Sequence, residues 1–349
     1  MFRKNAGLAL VLALGITLNA CAVDEKGTES GSNGSGSLTV VCGALEQVCQ
    51  AWTEKFQEKT GIKTKFVRMS SGETVARLSA TKNNPEFDVW HGGPADGYSA
   101  AFADGLLEAY TSPEAEKIPA EYKSKDGSWT GVYVGVLGFC SNGKKLKELG
   151  VEAPKSWDDL LNPKLKGQVE SAHPSTSGTA YTTLWTQRER LGGEDQALEY
   201  MKKLNKNILQ YTKSGTAPGQ AAGRGEIAVG ISFTHDCALY KEQGMSDMVI
   251  TVPSDGTGHE VGGVGIVKGT KNLDLAKKYV DFAISAEAQN IGPDAGSYQA
   301  HTHPDAKDDP RITVLDDVNL LPWDFKLAGE KRSEFTKRFD NEVVAPPKK

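Results

Sequence analysis

After its first twenty residues the chain has no apolar run long enough to span a membrane. It has no cluster of basic residues either. Lys and Arg number 40 against 45 Asp and Glu, a net charge of −5. Without Arg3 and Lys4 of the N-terminal segment the balance is 38 against 45, or −7. A mildly acidic protein with scattered lysines offers nucleic acid no basic face. Cysteine is scarce, 5 residues in 349, and its spacing fits no zinc motif. There is no internal repeat. The stretch GTAPGQAAGRG (Gly215 to Gly225) lacks the Lys and Ser/Thr of a P-loop. Ser177-Gly178 lacks the Gly-x-Ser-x-Gly elbow of serine hydrolases. What remains has the apolar and charged fractions of a globular protein, 38% and 24%, and the length of one large domain or two ordinary ones.

The N-terminus MFRKNAGLALVLALGITLNAC has a basic start, an apolar core from Ala6 to Leu18, and then Leu18-Asn19-Ala20-Cys21. The core is short for a spanning helix, and the pattern resembles a lipoprotein signal (1–20) whose Cys21 is lipidated. An ordinary secretory signal with an incidental cysteine is the alternative. The following Gly/Ser-rich stretch reads as a flexible tether (21–37), so folded structure begins near Leu38, outside the cytoplasm. In such an oxidising place Cys42, Cys49, Cys140 and Cys237 form an even set with three pairings. Cys42–Cys49 with Cys140–Cys237 is favoured, and free buried thiols are the alternative.

Along the chain, SLTVV reads as a buried strand. ALEQVCQAWTEKFQEKTG places Leu45, Val48, Trp52 and Phe56 on one helical face, stopped by Gly61. IKTKFVRM, SSGETVARLSATKNN and FDVWHGG continue a βαβαβ rhythm, which predicts a parallel α/β sheet with ligands beyond its carboxyl ends. GVYVGVLGFCSN is a long β-rich run where a first lobe should end. SWDDLL predicts a helix capped by Ser156. GQVESAHP and EIAVGISF read as strands, with helices at EDQALEYMKKLNK and after PGQAAGRG. GGVGIVKGTKN and the amphipathic LDLAKKYVDFAI bring the chain back. Two α/β lobes joined by two strands make a clamshell, here 38–138 plus 267–316 and 139–266 plus 317–349.

STSGTAYTT, Ser175 to Thr183, gathers six Ser/Thr hydroxyls and a glycine. It follows a strand and opens a helix. Plain N-capping needs only one of these residues. A nucleophilic serine would need an oriented base, and adjacent His235-Asp236 do not imply one. An anion cradle uses the free first N–H groups of the helix, with Ser175, Thr176, Ser177, Gly178 and Thr179 as donors or close-approach positions. Ser70 and Ser71, with Arg68 before them, repeat the theme, beside a capping box from Ser70 to Glu73. Trp90-His91-Gly92 ends the third strand. Trp90 would stack on a sugar or sit in the core, and His91 would donate to a phosphate. His301 and His303 read as solvated loop residues, and no metal site is expected.

The lipobox, the tether, TVVCGALEQVCQAWTEKFQEKTGI, APKSWDDLLNPKLKGQV and NLDLAKKYVDFAISAEAQ together resemble the extracytoplasmic solute-binding proteins of ABC importers, in the ferric-binding-protein-like group. The resemblance implies a two-lobed periplasmic-binding-protein fold, class II-like, with a two-strand hinge, an ABC permease as partner, and a monomer that is not an enzyme and needs no cofactor. The group's iron binders use two adjacent tyrosines after a strand matching EIAVGISF. Here that place holds Thr234-His235-Asp236-Cys237, and His with Asp is a poor ferric ligand set. It is similar to members in which a His-Asp pair and a later glutamate, here His235, Asp236 and Glu260, contact the hydroxyls of a sugar phosphate. The ligand expected has an anionic end and a hydroxyl-rich end. Ferric iron or a free oxyanion is the alternative within the class, and a phosphatase the alternative outside it.

Overall fold

β1 (Ser37–Cys42) buries Leu38 and Val40 to Cys42, and α1 (Glu46–Thr60) lays Val48, Trp52 and Phe56 on it. The helix stops at Gly61, whose φ of 71° is the left-handed turn a glycine takes cheaply. β2 (Lys63–Arg68), α2 (Ser71–Ala80), β3 (Val89–Pro94) and α3 (Ala95–Ala103) follow. β1 pairs in parallel with both β2 and β3, so the βαβαβ expectation holds. The chain appears here as a computed structural model describing residues 36–345. The signal segment, Cys21 and nearly all of the tether lie outside the described residues.

After the short β4 (Leu107–Glu108) comes β5 (Thr130–Asn142), buried along all its 13 residues. A second α/β unit is then built from α4 (Gly143–Leu149), β6 (Val169–Ala172), α5 (Gly178–Leu191), α6 (Glu194–Asn205), β7 (Ile208–Thr212), α7 (Ala217–Gly223), β8 (Val229–Phe233), α8 (Thr234–Glu242) and β9 (Met248–Thr251). The chain returns through β10 (His259–Val267), α9 (Leu273–Ala283), α10 (Ala286–Gln289) and α11 (Ile291–Asp294), and the described part closes with α12 (Phe325–Phe339) and a π-helical turn, Asp340–Val344.

The strand order is β2-β1-β3-β10-β5-β8-β6-β7, with β4 on β10 and β9 on β5. Residues Thr130 to Val136 of β5 pair with β10, and Leu137 to Ser141 pair with β8. One strand therefore serves both halves of the sheet. Separate cores flank them. Trp52, Phe56, Tyr279 and Phe282 fill one, while Trp157, Tyr181, Trp185, Phe335 and Phe339 fill the other.

The sequence reading is altered in several places, among them α7, which occupies Ala217–Gly223 where the sequence predicts a helix only after PGQAAGRG. SWDDLL forms a 3-10 turn over Asp158–Leu161 instead of an α-helix. Ser156 does cap it, accepting from the N–H of Asp159 at 3.2 Å, but Asn162-Pro163 stops it after one turn. And α12 packs on both halves. Its Phe335 and Phe339 lie in the second core, while a Cβ on Gly329 would sit 2.7 Å from the carbonyl oxygen of Asp96 in α3. The favoured disulfides, Cys42–Cys49 and Cys140–Cys237, are both formed.

Candidate functional site

A pocket lies beside β5 and β10, where helix amino ends converge from both halves of the sheet. The residues before or within the first turns of α1 (Gly43 to Leu45), α2 (Ser70, Ser71), α5 (Ser177 to Thr179), α7 (Gly215, Thr216) and α8 (His235, Asp236) all line it. Each helix start presents N–H groups without intrahelical partners and the positive end of a dipole. Five such ends around one pocket make it receptive to an anion.

Local chemistry sets each donor. The capping box at α2 is present: the N–H of Ser70 donates to Oε2 of Glu73 at 3.2 Å. Ser71 is left free to face the pocket. Its Oγ lies 2.5 Å and 2.9 Å from where a Cβ would stand on Gly93 and Gly178, so only glycine lets the two backbones come this close. Ser177 caps α5, accepting from the N–H of Ala180 at 3.3 Å. Arg68 is the one Lys or Arg among the described residues lining the pocket. Its Nε donates to the carbonyl of Ala44 and its Nη2 to Oγ of Ser214, each at 3.3 Å, which fixes the guanidinium between the two sides.

The other end is acidic. Gly135 of β5 separates its members: a Cβ there would lie 2.9 Å from both Oε1 of Glu260 and Cε1 of His235. Gln299 donates to Oε1 of Glu260 at 3.3 Å and accepts from Ser297. Nε2 of His235 stands 3.7 Å from Oδ1 of Asp236, beyond a hydrogen bond, and its Nδ1 has no partner among the described residues. Burial pushes His235 down to about 3, so it is a neutral imidazole. Burial raises Asp236 to about 7, opposed by Arg68, and raises Glu260 well above its usual range, reinforced by the charge of Asp236. Among the described residues no group of three or more His, Cys, Asp or Glu is placed to hold a metal ion.

A pH dependence follows. Between the ordinary Asp range and about 7 the folded chain keeps a proton on Asp236 that the unfolded chain releases. The empty protein therefore loses stability as pH rises through that window. Asp236→Asn should flatten this part of the slope, read as melting temperature at pH 5 and pH 7.5 for both proteins. An unchanged slope would place the titration elsewhere.

Several expected residues lie elsewhere. Trp90 is fully buried and stacks on Tyr98, ring centroids 3.9 Å apart, in the core with Val41 and Leu78. His91 stacks on Trp52 and its Nδ1 meets Oη of Tyr279 at 3.0 Å, so it faces α1 and α9. Gly92 gives its carbonyl to Tyr98, and it is the next residue, Gly93, that lines the pocket. Both faces of β3 are covered, so a strand-end position does not ensure a ligand-facing side chain. The hydroxyl stretch divides. Ser177, Gly178 and Thr179 line the pocket, whereas Ser175 and Thr176 close the two halves against each other. The N–H of Gly72 donates to the carbonyl of Thr176 at 3.0 Å, and a Cβ on Gly72 would fall 2.1 Å from that of Ser175.

The sequence reading missed Gly43 to Leu45, Tyr133, Ser297 and Gln299. The first group carries the same strand-end, helix-start pattern as Ser70-Ser71 and was within reach. Ser297 and Gln299 sit in an irregular segment tied to β5 through the Val134–Ala300 bridge and the bond from Thr302 to the carbonyl of Gly131, with no periodic signal.

Comparison with known proteins bears on this geometry. A family model described as bacterial extracellular solute-binding protein matches residues 96–327. The periplasmic binding protein AfuA of Actinobacillus pleuropneumoniae, solved with fructose-6-phosphate bound, is 42% identical, with a TM-score of 0.86 over 89% of this chain and 99% of that one. The periplasmic binding protein P5PA is 38% identical, with a TM-score of 0.84 over 88% and 99%. The ferric binding protein of Campylobacter jejuni shares the fold, at 21% identity and a TM-score of 0.73 over 87% and 99%.

Proposed function

The chain belongs to the bacterial extracellular solute-binding proteins, and on that premise we propose that its ligand is a sugar phosphate such as fructose 6-phosphate. One observation carries this reading: a single pocket combines helix amino ends and Arg68 with buried Asp236 and Glu260. A phosphate suits the first set, where fixed N–H and hydroxyl donors replace its hydration. Sugar hydroxyls suit the second, because a buried carboxyl accepts their hydrogen bonds and those bonds favour its ionised form. Within this reading Arg68, Ser70, Ser71, Ser177, Gly178 and Thr179 hold the anion, and His235, Asp236 and Glu260 hold the sugar. The lobes are 38–138 with 267–316 and 139–266 with 317–349, and β5 and the β9–β10 return are the hinge. The protein is a monomer anchored by lipid at Cys21, and it delivers its ligand to an ABC permease without chemical change.

Calorimetric titration of the purified protein with fructose 6-phosphate, inorganic phosphate and ferric citrate tests this. One-to-one binding of fructose 6-phosphate in the micromolar range or tighter, about −8 kcal/mol, is expected, with no phosphate released on incubation. Binding of ferric citrate alone would restore the iron reading. Steady release of phosphate would make the protein an enzyme.

A further inference from the structure

Four of the five helix starts at the pocket are held in two different ways, and the short α7 has neither a side-chain cap bond nor a disulfide. α2 and α5 are held by serine caps, Ser70 in its capping box and Ser177 accepting from Ala180. α1 and α8 have no side-chain cap bond: their N-cap residues are Leu45 and Phe233. An uncapped helix start keeps its first N–H groups free for a ligand, but it loses the bond that fixes its first turn. In α1 and α8 the fourth residue is a disulfide cysteine, Cys49 and Cys237 respectively. Cys49 is tied to Cys42 at the end of β1, and Cys237 to Cys140 on β5. The α1 disulfide encloses Ala44, whose carbonyl accepts from Arg68 at 3.3 Å. Cys237 follows Asp236 directly, and its partner strand carries Gly135, against which His235 and Glu260 are set.

We propose that the two disulfides are positioning elements of the pocket, each replacing a helix cap: Cys42–Cys49 orients the anion end through Arg68, and Cys140–Cys237 orients the sugar end through Asp236. The assignment rests on the sugar-phosphate reading above. It also makes ligand affinity sensitive to the thiol–disulfide state of the protein, one end at a time.

The test is a set of double-mutant cycles read by calorimetry with fructose 6-phosphate. The pairs Cys42→Ala/Cys49→Ala and Cys140→Ala/Cys237→Ala are each placed in the parent protein, in Arg68→Ala and in Asp236→Ala. Near-ultraviolet circular dichroism and melting temperature report folding. Residues acting as one unit give non-additive losses. Removing Cys140–Cys237 should cost about tenfold in affinity in the parent and in Arg68→Ala, but under about twofold in Asp236→Ala. Removing Cys42–Cys49 should show the mirror pattern, its cost vanishing only in Arg68→Ala. Equal losses in all three backgrounds, or no loss in the parent, would overturn the proposal and leave the sugar-phosphate reading standing. Failure of the parent to bind fructose 6-phosphate would overturn both. If an alanine pair does not fold, Cys140→Ala/Cys237→Val and Cys42→Ala/Cys49→Val refill the lost volume and carry the same cycles.

Discussion

Asp236→Ala should weaken fructose 6-phosphate binding about a hundredfold, because a site built to accept from hydroxyls leaves them unpaired when its carboxylate is gone. Asp236 is almost wholly buried and faces the pocket beside His235 and Glu260. A hydroxyl buried there without its acceptor pays the desolvation cost of the lost bond. The loss should be much smaller for inorganic phosphate, which on the proposed reading binds at Arg68 and the serine-rich helix starts. Calorimetry with both ligands checks it. Equal losses for the two would mean that Asp236 acts on the pocket as a whole, and an unchanged affinity for fructose 6-phosphate would remove Asp236 from the site.

Arg332→Met should destabilise the fold by about 3–5 kcal/mol, the usual effect of removing one partner from a buried ion pair. Arg332 of α12 bonds Asp96 in the first turn of α3, and its guanidinium lies 4.4 Å from the ring centre of Tyr181. Asp96 is fully buried, and burial raises its pKa against the pull of Arg332. Without the arginine, either an unpaired carboxylate stays in the core or a proton must be taken up. Removing both charges, as Asp96→Leu with Arg332→Met, should recover most of the loss, since replacing a buried pair by apolar groups is often neutral. Urea unfolding of the two variants and the parent at pH 7 measures this. A double variant no more stable than Arg332→Met would show that packing of α12, with no contribution from charge, sets the effect.

Much of the fold was legible because its signals are local. The apolar run of β1, the helical face Val48, Trp52, Phe56 and the stop at Gly61 each reside within a few residues. So do the hydroxyl-rich helix starts at Ser70-Ser71 and at Ser177-Gly178-Thr179, which line the pocket. The His235-Asp236 pair and Glu260 were found through family resemblance, since nothing in their spacing marks them as neighbours. They meet only because β10 returns beside β5 and lays Glu260 opposite Gly135.

Local pattern could not assign faces. Trp90 and His91 alternate on a strand covered on both sides, and helices decided that one packs on Tyr98 and the other on Trp52. Nor could it divide a uniform run of hydroxyl residues. Ser175 and Thr176 seal the two halves while Ser177 to Thr179 line the pocket, because the chain enters α5 just there. Local periodicity, caps and turn residues are short-range properties and were readable from the chain alone. The pairing of Asp96 with Arg332, the approach of Gln299 to Glu260, and the meeting of five helix starts at one pocket depend on segments up to 236 residues apart, and packing alone brings those together.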